Sequence, residues 1–341
     1  MDKDQLYMQR CLELASNALG RTYPNPVVGS VIVYQDKIIG EGFHKRAGEP
    51  HAEVIAINSV KDKSLLPHST LYVNLEPCSH YGKTPPCADL IIKWKIPRVV
   101  IGTIDTSAKV SGKGIEKLKA AGIDVKVGVL EKQSRWINRR FFTFHEKKRP
   151  YVILKWAQTA DGFIDRERTD NIRKSNIITS RWARTLVHKW RTQEQAIAVG
   201  TNTVINDNPQ LTVRLWYGNN PIRICLDTKG RIPANSRIFD NSAQTICLIQ
   251  EEFRNPHTLL NHLHSINIQS VIIEGGTKFL ESFLNQNLWD ESRIFISKSL
   301  FLKGIKAPEI KGHYIKKLDF EAETLFILTN EKNNSDIYSD F

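Results

Sequence analysis

Cysteine is scarce. Five cysteines in 341 residues is an odd, sparse count. It does not suit the disulfide framework of a small secreted scaffold, and it agrees with reduced thiols in a cytoplasmic protein. No apolar run approaches the ~18–20 residues that cross a bilayer. The first residues, MDKDQLYMQR, carry two acids and lead into no apolar signal core. There is no repeat of 20–50 residues and no low-complexity tract. A G-x-G-x-x-G phosphate loop between strand and helix is also missing. Gly112-Lys113-Gly114 lacks the third glycine, so a Rossmann fingerprint is not present. These absences argue against membrane-spanning, secreted, solenoid and Rossmann-type proteins.

What is present is ordinary for a folded chain: 41% hydrophobic and 25% charged residues. At roughly 150 residues per domain, the length predicts about two domains. Lys and Arg outnumber Asp and Glu by 48 to 36, a formal charge of +12. The excess is spread along the chain, and its densest cluster is only Lys147-Lys148-Arg149. That distribution favours solubility and a small phosphate site over a nucleic-acid face.

Apolar periodicity predicts a helix over 4–19, strands over 27–34, 38–44, 70–75, 98–104 and 125–129, and helices from Pro50, through Ile92, over 113–121 and over 130–144. After the basic, proline-closed stretch 145–150 the pattern restarts. Strands are expected over 151–157, 195–200, 221–227, 245–250, 270–276 and 292–297, with helices over 180–191 and 277–287. Strands alternating with helices predict two α/β domains, placed at 1–146 and 147–341. The last residues, NNSDIYSDF, read as a frayed tail or an edge strand.

His51-Ala52-Glu53, then Pro77-Cys78, then Cys87 is the strongest chemical signal. One imidazole and two thiolates make a zinc set with a fourth corner open, as a catalytic zinc requires. Metal binding there would lower the pKa of a bound water. In a regular helix, residues two apart point about 200° apart, so His51 must lie in an irregular first turn for Glu53 to face the same metal. Glu53 then serves as the proton shuttle rather than as a ligand. The H-x-E…P-C-x-x-C pattern belongs to zinc deaminases acting on nucleobases, but here eight residues separate the cysteines. Cys11, Cys225 and Cys247 sit in helix or strand patterns and read as small core residues.

With those motifs, PNPVVG (24–29), GEGFHKRAGEPHAE (40–53) and LEPCSHYGKTPPC (75–87) closely resemble the bifunctional deaminase–reductase family of riboflavin biosynthesis. LKWAQTADG (154–162), GTNTVINDNPQLTVR (200–214) and EGG (274–276) extend the resemblance into the second half. It implies a cytidine-deaminase-like α/β/α sandwich followed by a dihydrofolate-reductase-like α/β domain, with Zn2+ and NADPH. It also implies two reactions. The first is hydrolytic deamination of 2,5-diamino-6-ribosylamino-4(3H)-pyrimidinone 5′-phosphate. The second is reduction of its ribosyl chain to give 5-amino-6-(5-phosphoribitylamino)uracil.

Carried over residue by residue, the resemblance makes His51, Cys78 and Cys87 ligands, Glu53 the catalytic acid/base, and Asn25, His44, His80, Lys83 and Asp105 contacts of the deaminase substrate. Ala157, Thr203, Asp207, Thr228, Gly276, Thr277, Lys278, Phe279, Leu280, Glu281 and Ser282 would contact NADPH. Ser175, Arg191, Leu211, Arg214 and Glu274 would hold the reductase substrate. Arg191 and Arg214 suit bidentate phosphate binding, and free N–H groups where a helix follows Gly275-Gly276 suit a pyrophosphate. No side chain of the reductase half stands out as a strong acid. The chain departs from the family in 105–114, where an Asn-Pro is usual, and in 163–177, where Ile177 replaces a Trp.

The implied partner is a small phosphorylated pyrimidine, with neither nucleic acid nor membrane, and self-association stays open. Two other readings are a nucleic-acid deaminase with an RNA-binding second domain and a non-catalytic zinc-stabilised module. The Cys spacing and the lack of aromatic–basic interleaving in the second half weigh against the first. Glu53 beside an open metal corner weighs against the second.

Overall fold

The computed structural model describes residues 2–79, 85–106, 111–167, 175–330 and 332. The chain divides into two compact units, Met1–Lys147 and Lys148–Phe341.

The first unit runs α1 (Lys3–Ser16), β1 (Gly29–Tyr34), β2 (Lys37–Phe43), α2 (Ala52–Ser59), β3 (Thr70–Leu75), α3 (Cys87–Lys93), β4 (Arg98–Thr103), α4 (Lys113–Ala120), β5 (Asp124–Val127), α5 (Glu131–Ile137) and α6 (Arg139–Lys147). Its sheet has the order β2-β1-β3-β4-β5. β1 is antiparallel to β2 and β3, and β3, β4 and β5 run parallel. Alternation along each strand creates two cores. Ile32, Leu71, Val73, Val99 and Ile101 pack against Ala56, Ile57, Ile91 and Leu118 on one face. Val31, Val33, Tyr72 and Val100 pack against Tyr7, Met8 and Cys11 on the other. The helix expected over 130–144 is two helices. They part at Asn138, whose side chain bonds both the N–H and the C=O of Val27 (2.8 and 2.9 Å) and so leaves the helical ladder.

The second unit runs β6 (Tyr151–Gln158), β7 (Phe163–Asp165), α7 (Arg181–Gln193), β8 (Ala196–Gly200), α8 (Thr201–Asp207), β9 (Ile222–Leu226), β10 (Thr245–Leu248), α9 (Pro256–Ser265), β11 (Ser270–Glu274), α10 (Thr277–Asn285), β12 (Glu291–Ser297), β13 (Ile305–Lys306), β14 (His313–Asp319) and β15 (Glu323–Thr329). The main sheet has the order β10-β9-β8-β11-β6-β12-β15-β14. Strands from β10 to β12 are parallel, and β15 and β14 add antiparallel at the far edge. Alternate residues again feed two cores, with Val152, Leu154, Val271 and Ile273 on one face and Tyr151, Ile153, Ile197 and Ile272 on the other. The C-terminal ends of β6, β8, β9 and β11 lie at one edge of this sheet, where ligands collect in open α/β sheets. The β14–β15 hairpin and α9 were not expected from the sequence, and residues 333–341 of the tail lie outside the described residues.

Candidate active sites

His51 is the N-cap of α2, in an extended conformation (φ −71°, ψ 164°). It therefore lies outside the helical ladder, while Glu53 sits in the first turn. Cys78 follows the end of β3 by three residues. Cys87 opens α3, and its N–H donates to Cys78 Sγ at 3.3 Å. His51 Nδ1 lies 3.5 Å from Cys78 Sγ and 3.4 Å from Cys87 Sγ, and the three ligand atoms all lie within 4.8 Å of one another. Tetrahedral zinc with Zn–N about 2.0–2.1 Å and Zn–S about 2.3 Å has an N···S edge of about 3.6 Å. The observed edges match it, so the donor set fits that ion. Among the described residues this is the one His/Cys/Asp/Glu group of such geometry.

Glu53 is buried, 3% exposed. Burial, with the Cys78 thiolate acting in the same sense, pushes its carboxyl up to about 7. A carboxyl poised near neutrality can both take and return a proton.

His44 lies edge-on to His51, with ring centroids 5.3 Å apart. Its Nδ1 faces the Pro50 carbonyl at 3.1 Å, and a carbonyl only accepts, so Nδ1 carries the proton. Nε2 then accepts from the Asn25 amide at 3.1 Å. Burial lowers the His44 pKa, which keeps this tautomer neutral. The structure thus joins Asn25 and His44 beside His51. Asp105 is buried, and its N–H reaches Glu76 Oε2 at 3.2 Å. His80 and Lys83 lie outside the described residues.

Glu76 carries no chemical motif of its own and was not foreseen. Its carboxylate also accepts from Gly112 N (3.0 Å), Gly114 N (2.9 Å) and Ile115 N (3.4 Å). It thereby caps α4 from the segment that follows β3, where orphan N–H groups and the helix dipole favour an anion.

In the second unit the ends of β6, β8, β9 and β11 surround a cavity of about 1230 Å3. A single small-molecule site is usually about 300–1,000 Å3, so this one has room for a dinucleotide and a second ligand. Ala157, Thr203, Asp207, Gly276, Thr277, Lys278, Phe279 and Ser282 line it, as do Ser175, Arg191, Leu211, Arg214 and Glu274. Leu280 does not, because its side chain is fully buried in the core. Glu281 lies off the lining, and Thr228 stands behind it, with Oγ1 accepting from the lining residue Arg254 at 2.9 Å.

Gly275 has φ +139°, a region that favours glycine. It turns the chain so that Gly276, the N-cap of α10, presents N–H groups with no side-chain cap. A Cβ on Gly276 would meet nothing within 4 Å, so the turn is open to a phosphate.

Among the lining residues outside the expected contacts, two carry shifted ionisation. Lys155 Nζ is 3.7 Å from Glu274 Oε1, and Arg191 is 3.5 Å from Oε2. Burial makes the Lys155 ammonium more acidic than usual, against the pull of Glu274. Burial would raise Glu274, but Lys155 and Arg191 outweigh it and hold that carboxylate below its ordinary range. His188 is the other. The signal available for it was the α7 stripe Arg184, His188, Arg191 at i, i+4, i+7, which shares one helical face.

Comparison with known proteins agrees with both halves. Residues 1–103 match the cytidine and deoxycytidylate deaminase zinc-binding region, and residues 150–303 match the RibD C-terminal domain. The RibD riboflavin biosynthesis protein of Aquifex aeolicus is 39% identical, covering 90% of each chain. That of Escherichia coli K12 is 36% identical, over 87% of this chain and 88% of its own. A Thermotoga maritima crystal structure described as a diaminohydroxyphosphoribosylaminopyrimidine deaminase/5-amino-6-(5-phosphoribosylamino)uracil reductase superposes with TM-score 0.88 at 39% identity, covering 96% of this chain and 99% of that one. With a cytidine-deaminase-like first unit and a dihydrofolate-reductase-like second unit, the chain belongs to the RibD family, the bifunctional deaminase–reductases of riboflavin biosynthesis.

Proposed function

We propose that the first unit hydrolyses the 2-amino group of 2,5-diamino-6-ribosylamino-4(3H)-pyrimidinone 5′-phosphate, and that the second then reduces the ribosyl chain with NADPH. The observation that carries the reading is the His51–Cys78–Cys87 triangle with a buried carboxylate two residues from its imidazole.

His51, Cys78 and Cys87 would hold zinc, which when bound would supply an acidified water. Glu53 takes a proton from the attacking water, passes it to the ring nitrogen, and later protonates the departing amine, so C–NH2 and H2O become C=O and NH3. Asn25 and His44 fix the pyrimidine edge. Asp105, His80 and Lys83 serve the same substrate, and Lys83 supplies a point charge for the phosphate.

In the second unit the Gly275-Gly276 turn and the start of α10 hold the pyrophosphate. Ala157, Thr203, Asp207 and Thr228 complete the cofactor site. NADPH, when bound, supplies the hydride. Ser175, Arg191, Leu211, Arg214 and Glu274 place the opened sugar against the nicotinamide, largely by positioning. Lys155, its ammonium made more acidic by burial, supplies the accompanying proton.

Cytoplasmic location follows from the sparse cysteines and the cofactor, and a small phosphorylated pyrimidine rather than RNA is the partner. Among the described residues no helix is long and apolar enough to cross a membrane.

Glu53→Gln tests the reading. It should cut ammonia release at least 1,000-fold and leave NADPH oxidation on the deaminated intermediate at the wild-type rate. Ammonia release near wild type would sink the assignment of Glu53.

A further inference from the structure

His188 lies on the cavity-facing stripe of α7, with Arg184 one turn before it and Arg191 one turn after. It is 5% exposed. Its Nδ1 lies 3.0 Å from the backbone N–H of Arg214. A backbone N–H only donates, so Nδ1 is an acceptor without a proton. In neutral imidazole the proton must then sit on Nε2. Among the described residues Nε2 has no hydrogen-bond partner, and the residue lines the cavity.

The charges that act on it are Arg191 on α7, Arg214 on the segment that donates to it, Lys155 on β6 and Glu274 on β11. Three cations face one anion, which leaves a surplus of positive charge suited to a phosphate dianion. The same surplus, with burial, opposes a further positive charge on the imidazole and lowers its pKa to about 4. Arg191 Nε, buried nearby, has no hydrogen-bond partner among the described residues and offers a further donor on the same side.

We propose that His188 is a substrate-binding residue of the reductase site, an imidazole whose Nε2–H donates to the phosphate of the substrate. Holding Nδ1 on the Arg214 backbone does two things. It fixes the tautomer, and it ties the imidazole to the residue whose guanidinium faces the same phosphate. A neutral donor there adds a directional bond without making phosphate affinity depend on imidazole charge. This rests on the reductase reading of the cavity.

The test uses the full-length protein, NADPH and 5-amino-6-(5-phosphoribosylamino)uracil, alongside the same nucleoside without its phosphate. His188→Asn keeps an acceptor near Nδ1 and loses the distal donor. His188→Gln keeps a distal N–H. Loss of a hydrogen bond to a charged group predicts a rise of about 10-fold or more in KM for the phosphorylated substrate in H188N. The KM for NADPH should be unchanged, and H188Q should recover most of the loss. On the nucleoside lacking phosphate, H188N and wild type should match. In the wild-type protein, nitrogen-15 NMR of labelled histidine should show one imidazole, the one missing from H188N, protonated only at Nε2 from pH 5.5 to 8. Equal KM values for H188N and wild type on the phosphorylated substrate would overturn the proposal, as would an equal loss on both substrates or a His188 that titrates near pH 6–7. Failure of the wild type to oxidise NADPH at all would instead remove the reductase reading, and this inference with it.

Discussion

Glu76→Gln is the sharpest test of how the deaminase site is held. The carboxylate accepts four backbone N–H groups, two on each oxygen. Gly114 and Ile115 meet Oε1 at 2.9 and 3.4 Å, and Gly112 and Asp105 meet Oε2 at 3.0 and 3.2 Å. A glutamine keeps one oxygen for two of them and turns an NH2 group towards the other two. Two hydrogen bonds to a charged acceptor are lost at about 1.5–3 kcal/mol each, so the cost is about 3–6 kcal/mol. For a unit of this size that is a fall of roughly 6–24 °C in the transition of the first unit, read by scanning calorimetry. The damage should also be local. Asp105 sits at one end of the pinned segment, and Cys78 lies two residues beyond Glu76. E76Q should therefore release zinc to a chelating dye faster than wild type and raise KM for ammonia release. The second unit gives its own control, because NADPH oxidation on the deaminated intermediate should be unaffected. An E76Q protein that melts within about 1 °C of wild type, with zinc retention and KM intact, would refute this account of Glu76.

Three further expectations follow from the geometry. Gly275→Ala places a side chain at φ +139° with its Cβ 2.9 Å from Thr203 Oγ1. A backbone strain of about 1–3 kcal/mol should weaken NADPH binding roughly 10-fold by nicotinamide fluorescence, leaving ammonia release unchanged. Removing metal with a chelator should abolish ammonia release and spare NADPH oxidation, and zinc should restore the first activity. Hydrogen bonds from Arg98, Lys126 and Tyr72 hold the Asp4 carboxyl well below its usual value. Its stabilising contribution is therefore complete above the unfolded pKa of about 3.9 and fades as pH drops below that. Asp4→Asn should lower the melting temperature at pH 7, and the gap to wild type should narrow towards pH 3. A constant gap would count against the linkage.

The zinc triangle was legible because each ligand stands at, or within three residues of, the start or end of an element, and such points leave marks in the chain. Pro50 precedes the N-cap His51, Pro77 precedes Cys78, and Pro85-Pro86 precedes the first helical residue, Cys87. The element boundaries near them were correspondingly close: strand 70–75 is β3 residue for residue, and helix 113–121 ends one residue late. Glu76 was invisible for the opposite reason. Its partners are backbone N–H groups 29 to 39 positions away, and every residue type except proline offers one. Asn138 hides in the same manner, since its partner is the main chain of Val27. The β14–β15 hairpin was obscured because β14 is an edge strand, exposed at Lys316 and Lys317. Charged residues that guard a sheet edge against pairing also erase the apolar alternation by which a strand is read. By contrast, α9 carries a standard start signal in the chain, Asn255 as N-cap and Pro256 at the first position.

The reductase cavity falls between these cases. Its glycine turn and arginines could be named from the chain. Lys155 and His188 leave only a weak mark, because their chemistry is set by neighbours: Glu274, Arg191 and one backbone N–H of Arg214. A lysine in a strand and a histidine in a helix have the composition of ordinary structural residues. What distinguishes these two is burial among charges that come from other elements of the sheet and helices, and that property exists only once the chain has folded.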